Sequence, residues 1–105
     1  MTLPTQLVLR VLLDDPTREM YSLEIAQATE LTSGTTHQIL ARLEGIRWLE
    51  SRFEQVDPAE AGRPRRRYYR LTPDGAEFAQ TALARVHTPK RVAMRLQAGL
   101  AGGAA

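Results

Sequence analysis

Two β-type segments with an arginine-rich loop between them are the feature that most constrains how this chain can fold. Leu49–Val56 alternates polar and apolar side chains, and Arg67–Leu71 is rich in tyrosine, which favours strands. Turn-forming residues mark a long loop between these segments: Asp57, Pro58, Gly62 and Pro64. The sequence therefore predicts a two-stranded hairpin whose loop concentrates positive charge.

Two helices joined by a tight turn are predicted before the hairpin. Ser22 is expected to cap a short helix over Leu23–Thr29, and Thr32 a longer helix over Ser33–Gly45. The longer helix carries an apolar stripe at three- and four-residue spacing: Ile39, Leu40, Leu43 and Ile46. Two helices around such a turn make a helix-turn-helix, and a hairpin after it makes a winged helix.

Further helices are predicted on both sides of this unit. Pro4 opens the first, which reaches Leu13, and Thr72 caps another that begins at Pro73. The apolar residues of this last helix are Phe78, Ala79, Ala82, Leu83 and Val86. After Pro89 the apolar stripe continues, and an exposed stripe of that length is a liability in a monomer. We therefore expect a dimer interface formed by Leu83, Val86, Val92, Leu96 and Leu100.

These elements together predict an α+β fold, mainly α. Its architecture is a winged helix-turn-helix, with three helices and a two-stranded β wing, followed by a C-terminal dimerisation helix. The expected division is a DNA-binding domain over residues 1–75, a dimerisation helix over 76–100 and a disordered tail over 101–105. A length of 105 residues is expected to hold one domain, with little left for a separate ligand-sensing domain.

Several classes of function find no support in the sequence. The chain has no cysteine, and its two histidines, His37 and His87, have no metal-ligating neighbours at suitable spacing. No residue pair predicts catalysis, so we expect no enzyme, no metal and no cofactor. The apolar stretch Leu7–Leu13 is too short to span a bilayer and has no signal-peptide features, so the expected location is the cytoplasm.

The outward face of the predicted Ser33–Gly45 helix suits base readout. Hydrogen-bonding and small side chains occupy it: Ser33, Gly34, Thr35, His37, Gln38, Ala41 and Arg42. Glutamine can bond adenine through two hydrogen bonds, and arginine can do the same with guanine. An ordinary solvated helix face is the plainer interpretation, and the wing that follows favours DNA.

Five of the thirteen arginines fall between Arg63 and Arg70, whereas lysine occurs once. Guanidinium groups suit phosphate and base edges better than ammonium groups do. The wing residues expected on DNA are Arg63, Arg65, Arg66 and Arg67. Alternatively, the arginines offset strand acids such as Glu50 and Glu54, and the strand residues Arg67 and Arg70 are best placed to do so.

Three segments resemble the PadR family of bacterial winged-helix regulators. They are Tyr21–Ile25, the recognition-helix stretch Ser33–Glu44, and the wing and helix start Gly62–Gly75. The resemblance implies homodimerisation through C-terminal helices with the first helix, and repression by occupying a promoter. His37-Gln38 departs from the Tyr-Pro usual in the family, which leaves the operator sequence open.

Two other functions compete with a plain DNA-binding repressor. In one, the winged helix is a protein-interaction module whose arginines are only solvated. In the other, a repressor of the same fold senses a small aromatic effector, because some PadR relatives bind planar aromatic ligands at the dimer interface. Trp48, the single tryptophan, is instead expected to pack between the third helix and the wing.

Overall fold

A computed structural model describes residues 1–86 of the chain. The elements in chain order are α1 (Leu3–Asp14), β1 (Met20–Tyr21), α2 (Ser22–Thr29), α3 (Ser33–Gly45), β2 (Leu49–Phe53), α4 (Pro58–Ala61), β3 (Arg67–Leu71) and α5 (Pro73–Ala84). The bounds of α3 and β3 are those predicted, and α5 begins at the predicted residue. The winged helix-turn-helix expected from the sequence is confirmed.

Threonine caps fix where three of the helices begin. The hydroxyl oxygens of Thr2, Thr32 and Thr72 each accept a hydrogen bond from the backbone N–H three residues further along. The helix α2 begins differently, because the Glu24 carboxylate reaches back and accepts from the backbone N–H of Tyr21 at 3.1 Å. The prediction that Ser22 caps α2 is therefore wrong, since Ser22 is already its first helical residue.

A short left-handed turn joins α2 to α3. Glu30 has φ 59°, and its backbone N–H donates to the carbonyl of Ala26, which closes the end of α2. Leu31 donates to the same carbonyl at 3.2 Å and packs its side chain against the core. Thr32 then begins α3 at once. This turn holds α3 across α2, which leaves one face of α3 outside the core.

The sheet has one strand more than the sequence predicted. Its order is β1-β3-β2, with both pairings antiparallel, so β3 lies between the short β1 and β2. Two residues are too few to show the alternation that marks a strand, which is why β1 escaped prediction. The strand β2 ends at Phe53 instead of the predicted Val56, and the loop beyond contains α4, which begins after the capping residue Asp57.

The core lies between α1, α2 and α3 on one side and the sheet on the other. The side chains of Leu9, Ile25 and Leu40 are fully buried, and residues of the sheet and α5 complete the cluster: Met20, Leu49, Tyr69, Leu71 and Ala79. The alternation along β3 sends Tyr69 and Leu71 inward and leaves Arg70 exposed. One core therefore joins the helix-turn-helix to the root of the wing.

Two apolar residues of the predicted helical patterns, Ile46 and Phe78, are exposed instead of buried. Ile46 is 54% exposed because it is the C-cap of α3, where the helical spacing no longer applies. Phe78 is 52% exposed, and the small Ala79 beside it occupies the buried position on α5. The ring of Phe78 packs against Trp48, with centroids 6.1 Å apart. Trp48 thus contacts α5, a neighbour that the prediction of a place between the third helix and the wing did not include.

The first turn of α5 docks directly on the backbone that leads into β2. The Thr72 backbone N–H donates to the Trp48 carbonyl at 3.0 Å, and the Thr72 hydroxyl donates to the Arg47 carbonyl at 2.9 Å. A Cβ atom at Gly75 would lie 2.0 Å from the Trp48 carbonyl oxygen. Only glycine permits this approach, so Gly75 is required for the junction between α5 and the wing.

The predicted dimer interface lies only partly within residues 1–86. Leu83 is half-buried and packs against the core, and Val86 is half-buried as well. The other three residues of that prediction, Val92, Leu96 and Leu100, lie outside the described residues. The division into a DNA-binding domain, a dimerisation helix and a tail stays a prediction.

Candidate nucleic-acid interface

The face of α3 that points away from the core carries the residues expected to read DNA. The side chains of Thr36, Ile39, Leu40 and Leu43 are buried, which fixes the rotation of the helix. Exposed residues lie on the other side: Ser33, Gly34, His37, Gln38, Ala41 and Arg42. Thr35 is half-buried, and its hydroxyl bonds the capping hydroxyl of Thr32 at 3.0 Å. The structure thus brings the predicted readout residues together on one exposed surface.

Gly34 lies in the first turn of α3 without a structural need for glycine. A Cβ atom there would meet nothing within 4 Å, and the residue has no positive φ. Glycine inside a helix costs about 0.5–1 kcal/mol relative to alanine. The chain therefore gives up stability at this position, and no contact among the described residues requires the absence of a side chain.

Gly34→Ala is expected to raise the free energy of unfolding by about 0.5 kcal/mol and to weaken DNA binding. Gly45→Ala is the matched control, because Gly45 ends the same helix with equally open space around it. Thermal unfolding and DNA titration of both variants separate the two effects. Equal binding by Gly34→Ala and the parent protein would show that no partner approaches this turn closely.

Three of the five arginines between residues 63 and 70 form ion pairs within the protein. Arg63 pairs with Glu54, Arg67 with Glu44, and Arg70 with Glu50. Of these three pairs, only Arg70 with Glu50 joins a strand arginine to a strand acid, as the alternative interpretation of the sequence predicted. Arg63, expected to be a free wing residue, donates to Glu54, whose side chain is 11% exposed. The positive charge of the wing is therefore smaller than the sequence implies.

Arg65 and Arg66 pair with no carboxylate in the part of the chain that the structure describes. Arg65 donates through Nε to the Val56 carbonyl at 2.8 Å, which orients the guanidinium without neutralising it. The Arg66 guanidinium lies over the Tyr21 ring, 4.3 Å from its centroid. Such stacking holds a cation in place and leaves its edge free for an anion. These two residues are therefore the wing arginines whose charge no carboxylate of the described residues offsets.

Glu54 holds the two sides of the wing together. Its carboxylate accepts from the Arg63 guanidinium and from the backbone N–H of Arg66, the latter at 2.9 Å. The hydrogen bond from Arg63 is the main cause that lowers the pKa of Glu54 from 4.5 to about 2, and the Arg66 N–H adds to it. Because this folded-state pKa is depressed, the stabilisation is complete above about pH 4.5 and is lost as the pH falls through about 2.

The carboxyl carbon of Glu54, followed by NMR, is expected to titrate with a midpoint near pH 2. A Glu54 midpoint close to 4.5 would mean that the wing does not hold this ion pair in solution.

The sequence did not indicate which residues of neighbouring segments contact the arginines of the hairpin. Tyr21 lies beneath Arg66, and Glu19 accepts two hydrogen bonds from Arg52 at 2.6 and 3.1 Å. Glu44, in the last turn of α3, accepts from Arg67. The resemblance to PadR proteins included Tyr21 and Glu44, but nothing in their spacing indicated which arginine each would meet.

Other kinds of site find no support within residues 1–86. No group of three or more histidine, aspartate or glutamate side chains is placed to hold a metal ion there. No helix among these residues is both long and apolar enough to cross a membrane.

Several solved structures are similar to this chain over most of its length. A PadR family transcription regulator from Clostridium difficile R20291 has 21% identity and a TM-score of 0.62, with 99% of this chain and 100% of that chain covered. The smu.1704 protein from Streptococcus mutans UA159 has 22% identity and a TM-score of 0.62, covering 94% and 90%. A mutant of MepR from a multidrug resistant S. aureus clinical isolate has 18% identity and a TM-score of 0.67, covering 92% and 65%. Comparison with curated proteins gives no match.

The fold, with its exposed helix and wing, is that of a winged-helix transcriptional regulator. The sequence model of the transcriptional regulator PadR-like family matches residues 8–81, and the chain belongs to that family. The match includes α2, α3, both long strands of the wing and most of α5. The resemblance noted in the sequence is thereby confirmed.

Proposed function

We propose that this chain is a sequence-specific repressor that binds a pseudo-palindromic operator as a homodimer in the cytoplasm. In each protomer α3 enters the major groove and the wing lies on the backbone or in the minor groove. The observation that carries the proposal is the exposed polar face of α3 beside two wing arginines without carboxylate partners among the described residues. Hydrogen-bonding side chains specify bases, and fixed cations position the helix on the duplex.

The base-reading set is formed by the exposed side of α3: Ser33, Gly34, Thr35, His37, Gln38 and Arg42. Among the wing arginines, Arg65 and Arg66 make the phosphate contacts. The ion pairs of Arg63 and Arg67 with Glu54 and Glu44 give those two residues a supporting role in the wing. This division refines the set of four arginines expected from the sequence.

A dimer is proposed because one module buries little surface. A single winged unit typically buries about 600–1,000 Å² of protein surface on DNA, which is small for selection within a genome. Two copies related by a two-fold axis read two half-sites, and α5 with the apolar residues after it supplies the contact. A small aromatic effector at that contact stays a prediction from the family resemblance.

The paired variant Arg65→Ala/Arg66→Ala tests the wing. It is expected to weaken binding to all DNA sequences alike and to lower the slope of log K against log salt by about one unit for each phosphate that the protein no longer neutralises. Fluorescence anisotropy with bulk duplex DNA at several salt concentrations measures both quantities.

Arg52→Ala/Arg70→Ala is the matched control for that experiment. It removes the same charge from the same hairpin, but both arginines are paired, with Glu19 and Glu50. The control is expected to keep the parental slope. Identical slopes for both paired variants and the parent protein would show that the wing arginines are only solvated, as in a protein-interaction module.

A further inference from the structure

Three side chains from three elements form a closed hydrogen-bonded triangle between α3 and the wing. The Arg67 guanidinium donates to the Glu44 carboxylate at 3.0 and 3.3 Å and to the Ser51 hydroxyl at 2.9 Å. The Ser51 hydroxyl in turn donates to Glu44. Glu44 lies in the last turn of α3, Ser51 in β2 and Arg67 in β3. Each member contacts both of the others.

The arrangement leaves Arg67 poorly suited to bind phosphate. Two donor groups of its guanidinium are used within the triangle, and the carboxylate of Glu44 cancels its charge. The guanidinium also lies 5.5 Å from the ring centroid of Phe53 and 5.7 Å from that of Tyr69. A planar fork that is bonded on one edge and flanked by two rings has little freedom to turn towards DNA.

The position of the triangle gives it a mechanical consequence. The buried residues Leu49, Leu71 and Tyr69 fix the hairpin as far as the pair of Ser51 with Tyr69, whereas Arg67 lies two residues further from the root, towards the wing tip. A fixed angle between helix and wing is what allows both to meet one duplex in register. Loss of that angle costs specific binding more than non-specific binding, because the latter needs no register.

We infer that Glu44, Ser51 and Arg67 are positioning residues that set the angle between the recognition helix and the wing. Arg67 thus supports DNA readout without touching DNA. The inference rests on the proposed function, and it goes beyond that function by naming the groups that align its two contact surfaces.

Glu44→Gln, Arg67→Gln and the double variant form the first test. Each single change is expected to lower the ratio of specific to non-specific affinity about tenfold, and the double change no further, because all three remove the same ion pair from the triangle. The salt slope of Arg67→Gln on bulk DNA is expected to stay at the parental value. A slope lower by about one unit for Arg67→Gln, with tighter binding by Glu44→Gln, would overturn the inference by making Arg67 a phosphate contact.

Ser51 gives a test without any change of charge. Threonine and valine have the same branched shape, so Ser51→Thr keeps the hydroxyl of the triangle and Ser51→Val removes it. The chain has no cysteine, so spin labels can be attached at Gln27→Cys on α2 and Gln55→Cys on the wing, both exposed positions. The distance distribution between the labels is expected to broaden in Ser51→Val and to stay narrow in Ser51→Thr.

The two readouts separate failure of this inference from failure of the proposed function. A distribution as narrow in Ser51→Val as in Ser51→Thr overturns the triangle as the device that sets the angle, whatever DNA binding shows. A broadened distribution with unchanged selectivity also overturns it as a determinant of readout. A parent protein with no preference among DNA sequences instead overturns the proposed function, and that result is seen before any variant is made.

Discussion

Gly75→Ala is expected to lower the free energy of unfolding by about 3 kcal/mol, which is a large loss for a single substitution. The added methyl group would lie 2.0 Å from the Trp48 carbonyl oxygen and 2.7 Å from its carbonyl carbon, so it meets backbone that cannot move aside alone. The change must push α5 away from the start of β2 and break the hydrogen bonds of Thr72 to that segment. Chemical denaturation followed by circular dichroism measures the loss.

Gly45→Ala controls for the chemical change itself. The same methyl group there meets nothing within 4 Å and favours the helix, so stability is expected to stay equal or to rise by about 0.5 kcal/mol. A Gly75→Ala protein as stable as the parent would show that α5 does not dock on the Trp48 backbone as described.

Gln38→Ala is expected to remove about 1–3 kcal/mol of preference at one base position of the operator. The Gln38 side chain is exposed at the middle of the outward face of α3, and its amide offers the donor and the acceptor that adenine requires. Non-specific binding is expected to change little, because the residue carries no charge. Competition with duplexes substituted at each operator position measures the preference.

Gln80→Ala makes the same substitution on an exposed face of α5, away from α3. It is expected to leave the preference at every position unchanged. If Gln38→Ala retains the parental profile of preferences as well, Gln38 reads no base, and another residue of the same face carries the specificity.

The sequence predicted best those elements whose ends are set by local chemistry. Threonine followed by a run of suitable spacing located the starts of α3 and α5, because a cap needs only the next three residues. The pattern Arg-Tyr-Tyr-Arg-Leu located β3 through its tyrosines, which favour strands. The strand β1 was missed because its two residues become a strand only by pairing with β3, which is distant in the chain.

Which wing arginines form ion pairs depends on the three-dimensional structure and cannot be deduced from residue spacing alone. Antiparallel register places Glu50 opposite Arg70. That ion pair could therefore be predicted as soon as the hairpin was predicted. Arg63 meets Glu54 only because α4 turns the loop back over the strand, and α4 was not predicted. Arg67 meets Glu44 across the gap between α3 and the sheet. Contacts between elements therefore determine which wing arginines have a carboxylate partner within the described part of the chain.

Selection of bound duplexes from a random DNA pool by the full-length chain tests the central claim most directly. The account predicts enrichment of one pseudo-palindromic motif, with half-sites about ten base pairs apart centre to centre or a multiple of that spacing. Recovery of sequences no different from the starting pool, at a salt concentration where the protein still binds bulk DNA, would contradict the claim that α3 reads bases.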